Sequence, residues 1–300
     1  MLETTINGVT FKNPVVAASG TFGYGFEYNE LFDVSKLGGI SSKGLTLYPR
    51  EGNVGERMWE CTGGLLNSVG LQNPGIPAFI QDYLPRMKEL GTVIIANLSG
   101  TCEDDYLEGA RLLNATNVDM IELNISCPNV KKGGAAFGID ADVAFPLVKA
   151  AKEIITDKPM IVKLAPDAKD IKEMAAACVE AGADSLSLVN TVKGMAIDIY
   201  KKRPVYENIH AGYSGPAIRP IALKLVYDVC KTVGVPVFGI GGIATWQDVV
   251  EFIMAGASMV QVGMAHFIKP DTTLDIIAGL EKYCEDTGIK SLEEIRGCAL

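Results

Sequence analysis

The chain has only two histidines, His210 and His266, and no two cysteines at CxxC spacing. Its seven cysteines are Cys61, Cys102, Cys127, Cys178, Cys230, Cys284 and Cys298, each standing alone and none beside a histidine at metal-ligand spacing. Zinc and iron–sulfur centres need grouped thiolates or imidazoles, so no metal site is expected within the chain. GxGxxG is also missing: GIGGIA (239–244) and GYGFEY (23–28) both lack the third glycine, which removes the usual dinucleotide cradle. Basic residues are in deficit, with 27 Lys and Arg against 36 Asp and Glu and a net charge of −9. Neutralising nucleic-acid phosphates needs clustered cations, so nucleic acid is excluded as a partner. No stretch approaches the ~18 consecutive apolar residues of a membrane span. The opening MLETTINGVTFKNPVV has neither the basic nor the apolar region of a secretory leader. The expectation is a cytoplasmic chain, where an odd number of thiols stays reduced.

What the sequence does contain is a regular alternation. Short apolar runs stand at PVVAASG (14–20), GGISSKG (38–44), VIIAN (93–97), MIELN (120–124), MIVKL (160–164), SLSLVN (185–190), PVFGIGG (236–242) and MVQVG (259–263). Between them lie stretches such as KDIKEMAAACVEAGAD and PIALKLVYDVCKTVG, with apolar positions at three-to-four spacing and a closing glycine. Strand–helix alternation implies a parallel sheet, and eight units predict a closed α/β (β/α)8 TIM barrel. A doubly wound open sheet is the second choice. No linker interrupts the pattern, so residues 1–300 are expected to form one domain.

The spacing is uneven in two places. Long segments rich in Gly, Pro, Asn and Tyr, 47–78 and 191–217, follow strands 2 and 6. In a barrel they lie on the catalytic face, where long loops act as lids or substrate-binding excursions. LETTINGVTF, with its Asn-Gly between β-prone residues, predicts an N-terminal hairpin that plugs the barrel floor.

Polar residues or glycines close nearly every run: Ser19, Lys43, Asn97, Asn124, Lys163, Asn190, Gly241–Gly242 and Gly263. One strand-end asparagine often merely caps a turn, but on a barrel these positions converge on one mouth. GIGGIAT and QVGMAH end strands 7 and 8, where backbone N–H groups of many barrels hold a phosphate. Lys43 and Lys163 terminate apolar strands, and a lysine there needs an anionic partner or a shifted pKa.

Cys178, Cys230 and Cys284 fall on apolar helical faces and are expected in the core. Cys127 differs: NISCPNVKKGG (124–134) places it just past a strand end on the catalytic side. A buried inert thiol is the default reading of a lone cysteine, but lysines nearby favour thiolate, and the absence of a neighbouring histidine disfavours acyl transfer and favours a thiol acting as a base.

NISCPNVKKGG, SSKGLT, LLNSVGLQNPG, VKLAP, VNT, SGPAIRP and GIGGI, taken together and in order, resemble the dihydroorotate dehydrogenase family. The resemblance runs through essentially the entire chain. It implies an FMN-binding barrel that oxidises dihydroorotate to orotate in pyrimidine biosynthesis. Cys127, without an N-terminal apolar helix, resembles the soluble class 1, and NVKKGGAAFG resembles its NAD-linked subclass 1B rather than the fumarate-linked 1A. Carried over by motif, FMN contacts are Ser19, Lys43, Gly44, Asn97, Asn124, Lys163 and Val189, with Gly215, Gly241, Gly242, Gly263 and Met264 at the phosphate. Substrate is implied to meet Lys43, Asn67, Ser68, Val69, Gly70, Leu71, Asn124, Asn129, Asn190 and Thr191. Cys127 is implied to take the C5 proton, and Lys163 to stabilise charge on the reduced flavin. The resemblance further implies one FMN per chain, a homodimer, and a heterotetramer with a partner subunit carrying FAD and a [2Fe–2S] cluster. A flavin-free barrel lyase or isomerase acting on a sugar phosphate, with Lys163 as Schiff-base nucleophile, is the alternative from another class.

Overall fold

The computed structural model describes residues 1–126 and 137–300. The chain opens with strands β1 (Thr4–Ile6) and β2 (Val9–Phe11), an antiparallel hairpin. Asn7 and Gly8 both take positive φ, 49° and 83°, which the tight two-residue turn requires. Then come β3 (Val15–Ala17), β4 (Gly39–Ser41) and a first excursion carrying β5 (Met58–Cys61) and β6 (Gly64–Asn67). Four strands follow: β7 (Val93–Leu98), β8 (Met120–Asn124), β9 (Met160–Lys163) and β10 (Ser185–Leu188). A second excursion carries β11 (Val192–Gly194), β12 (Ile197–Asp198), β13 (Arg203–Pro204) and β14 (Ala211–Ser214). The chain returns through β15 (Val237–Ile240) and β16 (Met259–Val262).

Strands β3, β4, β7, β8, β9, β10, β15 and β16 pair in parallel, each with its successor, and β16 closes on β3. This is the (β/α)8 barrel, and each strand coincides with one of the eight apolar runs, β7 extending one residue beyond its run to Leu98. Alternation along the strands sorts the side chains. Outward-facing Ile121, Leu123, Val162, Leu186 and Val260 join the continuous apolar layer beneath the helices. Inward-facing Val16, Ile95, Met120, Ile161, Phe238 and Met259 form a separate cluster with Ile6 and Phe11 of the hairpin. Phe11 meets Phe238 edge-on at 6.3 Å between ring centroids. Asn7 pins the hairpin by donating to Asp184 O at 3.0 Å and Ser185 Oγ at 2.7 Å. The hairpin therefore seals the barrel floor and leaves the mouth as the open end.

Helix ends are set by local chemistry. Asp170 caps Ile171–Glu180 through Lys172 N and Glu173 N, and Thr245 with Asp248 forms a capping box on Trp246–Met254. Among the described residues no helix is long and apolar enough to cross a membrane.

The two excursions are joined into one sheet, in the order β11-β14-β6-β5, all antiparallel. Its small core is Leu66, Tyr206 and Ala211, with Tyr206 Oη donating to Leu66 O at 2.8 Å. The two long loops after the second and sixth barrel strands are thus one structural unit above the mouth.

Candidate active site

Above the apolar floor the barrel interior turns polar. Ser41, Asn97, Glu122, Lys163, Ser187 and Gln261 are all buried, on six different strands or strand ends. Glu122 is at the centre. Its Oε2 accepts from Ser41 Oγ at 2.8 Å and Asn97 Nδ2 at 2.5 Å. Its Oε1 accepts from Ser187 Oγ at 2.8 Å and Gln261 Nε2 at 2.7 Å. Burial alone would raise its pKa, but the charge of Lys163 and the bonds from Ser187, Asn97 and Gln261 hold the carboxyl below the usual range.

Lys163 is only 4% exposed and donates to Ser19 Oγ at 3.3 Å, so the structure brings these two expected FMN contacts together. Burial lowers the pKa of Lys43. Neither lysine belongs to an ion pair within 4.0 Å among the described residues. Gly44 lies tightly against the same cluster: a Cβ there would stand 3.2 Å from Asn97 Oδ1 and 3.3 Å from Leu71. Leu71, from the first excursion, is thereby carried to the strand ends.

The asparagines are held in fixed orientations. Asn124 Oδ1 accepts from Ser126 Oγ at 2.5 Å, and Ser126 Oγ in turn accepts from Asn190 Nδ2. Asn190 Oδ1 accepts from Thr191 N at 2.8 Å. Asn67 Nδ2 donates to Gly212 O at 3.2 Å, and Thr191 packs against the same glycine. Ser68 Oγ accepts from Asn53 Nδ2 at 3.0 Å, and Gly70 packs against Asn53 as well. Asn67, Ser68, Val69, Gly70 and Leu71 thus run from the joint sheet toward Gly44.

At the other side of the mouth, Gly242 has φ 72°, and a Cβ would meet Arg219 N at 2.7 Å and Gly215 O at 2.8 Å. Glycine is therefore demanded there by the contact between two loops, irrespective of a bound anion. Gly215 and Gly242, two of the expected phosphate-end residues, are thus neighbours, while Gly241 lies near Val189 and Gly263 near Ala18. Met264 precedes the short helix Ala265–Ile268. His266 Nδ1 meets Gly263 O at 3.0 Å, with its ring 4.7 Å from that of Phe22. Burial, only partly opposed by that carbonyl, lowers its pKa to about 4, so the imidazole is neutral at physiological pH.

Cys127 and Asn129 lie outside the described residues. Of the other thiols, Cys178 and Cys284 are buried in the core as expected, whereas Cys230 is only half-buried against it; burial pushes Cys178 and Cys230 up to about 12 and raises Cys284. Among the described residues no group of three or more His, Cys, Asp or Glu gathers as metal ligands.

Reading the sequence singled out neither Glu122 nor Ser126. Glu122 left one trace, a lone charge inside the otherwise apolar MIELN. A serine two residues past a strand end carries no comparable signal.

The dihydroorotate dehydrogenase family model matches residues 1–284. A protein from Petrotoga mobilis is 57% identical over 299 residues, covering 99% of each chain. Relatives from Alkaliphilus metalliredigens and Bacteroides thetaiotaomicron are 50% and 48% identical, each covering 99% of this chain and 98% of its own length. All three bear the name dihydroorotate dehydrogenase B (NAD(+)), catalytic subunit. With fold, motifs and near-complete coverage in agreement, the chain belongs to the dihydroorotate dehydrogenase family.

Proposed function

We propose that this chain oxidises dihydroorotate to orotate with FMN bound at the barrel mouth, as the catalytic subunit of an NAD-linked enzyme. The observation that carries the reading is the pair Lys43 and Lys163, two lysines at the strand ends that form no ion pair within 4.0 Å among the described residues, beside amides of fixed orientation. Such a set fits a flat, electron-accepting ring with a phosphate tail and a substrate that bears a carboxylate.

When bound, FMN supplies a hydride acceptor. The chain's own groups do the rest. Ser19, Asn97, Asn124 and Lys163 would hold the ring, together with Gly44 and Val189. Gly215, Gly241, Gly242, Gly263 and Met264 would hold the phosphate. Lys43, Asn67 to Leu71, Asn129, Asn190 and Thr191 hold the substrate, where each asparagine offers both a donor and an acceptor to an imide edge. Cys127 Sγ accepts the proton from C5 while the hydride leaves C6, so orotate forms as the bonds at both carbons break. Lys163 would place its ammonium beside the ring, where a cation favours negative charge. A partner subunit holding FAD and a [2Fe–2S] cluster would supply the route to NAD. A homodimer of this chain with two such partners is the assembly we infer, working in the cytoplasm.

Purification and release of the chromophore test this. The expected result is a yellow protein that yields one FMN per chain and forms orotate with an artificial acceptor. A colourless chain inactivated by borohydride in the presence of a sugar phosphate would replace this reading with a Schiff-base lyase, and brisk fumarate reduction would move it to the fumarate-linked branch.

A further inference from the structure

Glu122 has no role in the account above, yet it is the most completely bonded side chain at the mouth. It is fully buried, and donors from β4, β10 and β16, with Asn97 of β7, occupy both carboxylate oxygens. An ionised carboxylate only accepts, and two of these four partners are amide nitrogens that only donate. The site is therefore built for the anion. Its compensating charge is Lys163 on the neighbouring strand β9. The two are linked through the field rather than by contact, since Lys163 Nζ is bonded to Ser19 and forms no ion pair within 4.0 Å among the described residues. Glu122 also decides which way Asn97 points. By taking Nδ2, it leaves Asn97 Oδ1 toward Asn124 and Gly44.

We infer that Glu122 is a positioning residue that orients Asn97 and supplies the fixed negative charge balancing Lys163, and so sets the reduction potential of the flavin bound above. This rests on the FMN reading just given. With Glu122 ionised, the buried pair is neutral overall. Without that charge, the Lys163 ammonium is uncompensated, and a flavin carrying extra negative charge becomes the better occupant. Gln is close in shape, and the bonding survives the change. Gln261 Oε1 has no partner among the described residues, so its amide can turn over and accept from the new Nε2. Charge is then the principal difference.

The test is the midpoint potential of bound FMN in the wild-type chain, Glu122→Gln and Glu122→Asp. We expect Glu122→Gln to shift it positive, equivalent to about tenfold in the ratio of affinities for reduced and oxidised flavin, or about 30 mV for a two-electron couple. Glu122→Asp, which keeps the charge, should return most of that shift. An unchanged potential in flavin-loaded Glu122→Gln overturns the inference and leaves the proposed reaction standing, whereas a wild-type chain that binds no flavin overturns both. A second measurement needs no cofactor. If the two charges balance, Glu122→Gln/Lys163→Met melts above Glu122→Gln, or restores soluble protein where the single variant does not fold. A double variant no better than the single one also overturns it.

Discussion

A thiol and a hydroxyl differ little in size and greatly in acidity, and Cys127→Ser exploits that difference. A free cysteine titrates near ~8.5, far below a serine hydroxyl. The variant should bind FMN and orotate normally, lose most turnover at neutral pH, and regain some as pH rises. Near-normal turnover at pH 7 would remove Cys127 from proton transfer. His266 offers a different residue-scale test. Its folded-state value of about 4 lies below the ordinary 6.5, so the neutral ring contributes stability that is fully present above pH 6.5 and lost as pH falls toward 4. At about 1.4 kcal/mol per pH unit, the loss over that window is about 3 kcal/mol. In denaturant unfolding at pH 7 and pH 4, His266→Gln should lose about that much less than wild type. Equal losses would mean that the ring is not held neutral.

At the scale of elements, the floor hairpin and the joint excursion sheet serve different ends. Phe11 is completely buried among the residues that seal the barrel. Phe11→Ala should cost about 3–5 kcal/mol and lower the melting temperature by several degrees, with KM for dihydroorotate unchanged. Leu66 belongs to a core of three buried residues that holds β6 to β14, directly behind Asn67. Leu66→Ala should raise KM several-fold and barely move the main calorimetric transition, because so small a unit opens locally. The reverse pattern, with Leu66→Ala lowering the melting temperature and sparing KM, would show that the sheet does not position the substrate loop.

For the whole molecule, missing parts are as informative as those present. The chain has no GxGxxG, and its cysteines are not grouped at ligand spacing. Alone, it should reduce artificial dyes and leave NAD untouched until an FAD and iron–sulfur partner is added. Rapid NAD reduction by the lone chain would contradict the assembly proposed.

The barrel was legible because strands buried on both faces read as continuous apolar runs, such as VIIAN and MIVKL, and because glycines punctuate them. The polar mouth was legible because Ser19, Lys43, Asn97 and Asn124 interrupt that pattern at its ends. The joint sheet was not, since Leu66 pairs with Tyr213 across a separation that leaves no local trace. Nor was the Glu122 layer, because Ser41, Asn97, Ser187 and Gln261 are united only by barrel closure.

Anaerobic titration of the purified, flavin-loaded chain with dihydroorotate tests the central claim most directly. The account predicts that the oxidised flavin absorbance bleaches fully, one dihydroorotate consumed and one orotate formed per flavin, with Lys163→Ala bleaching far more slowly. Flavin that stays oxidised in the presence of excess dihydroorotate would contradict it.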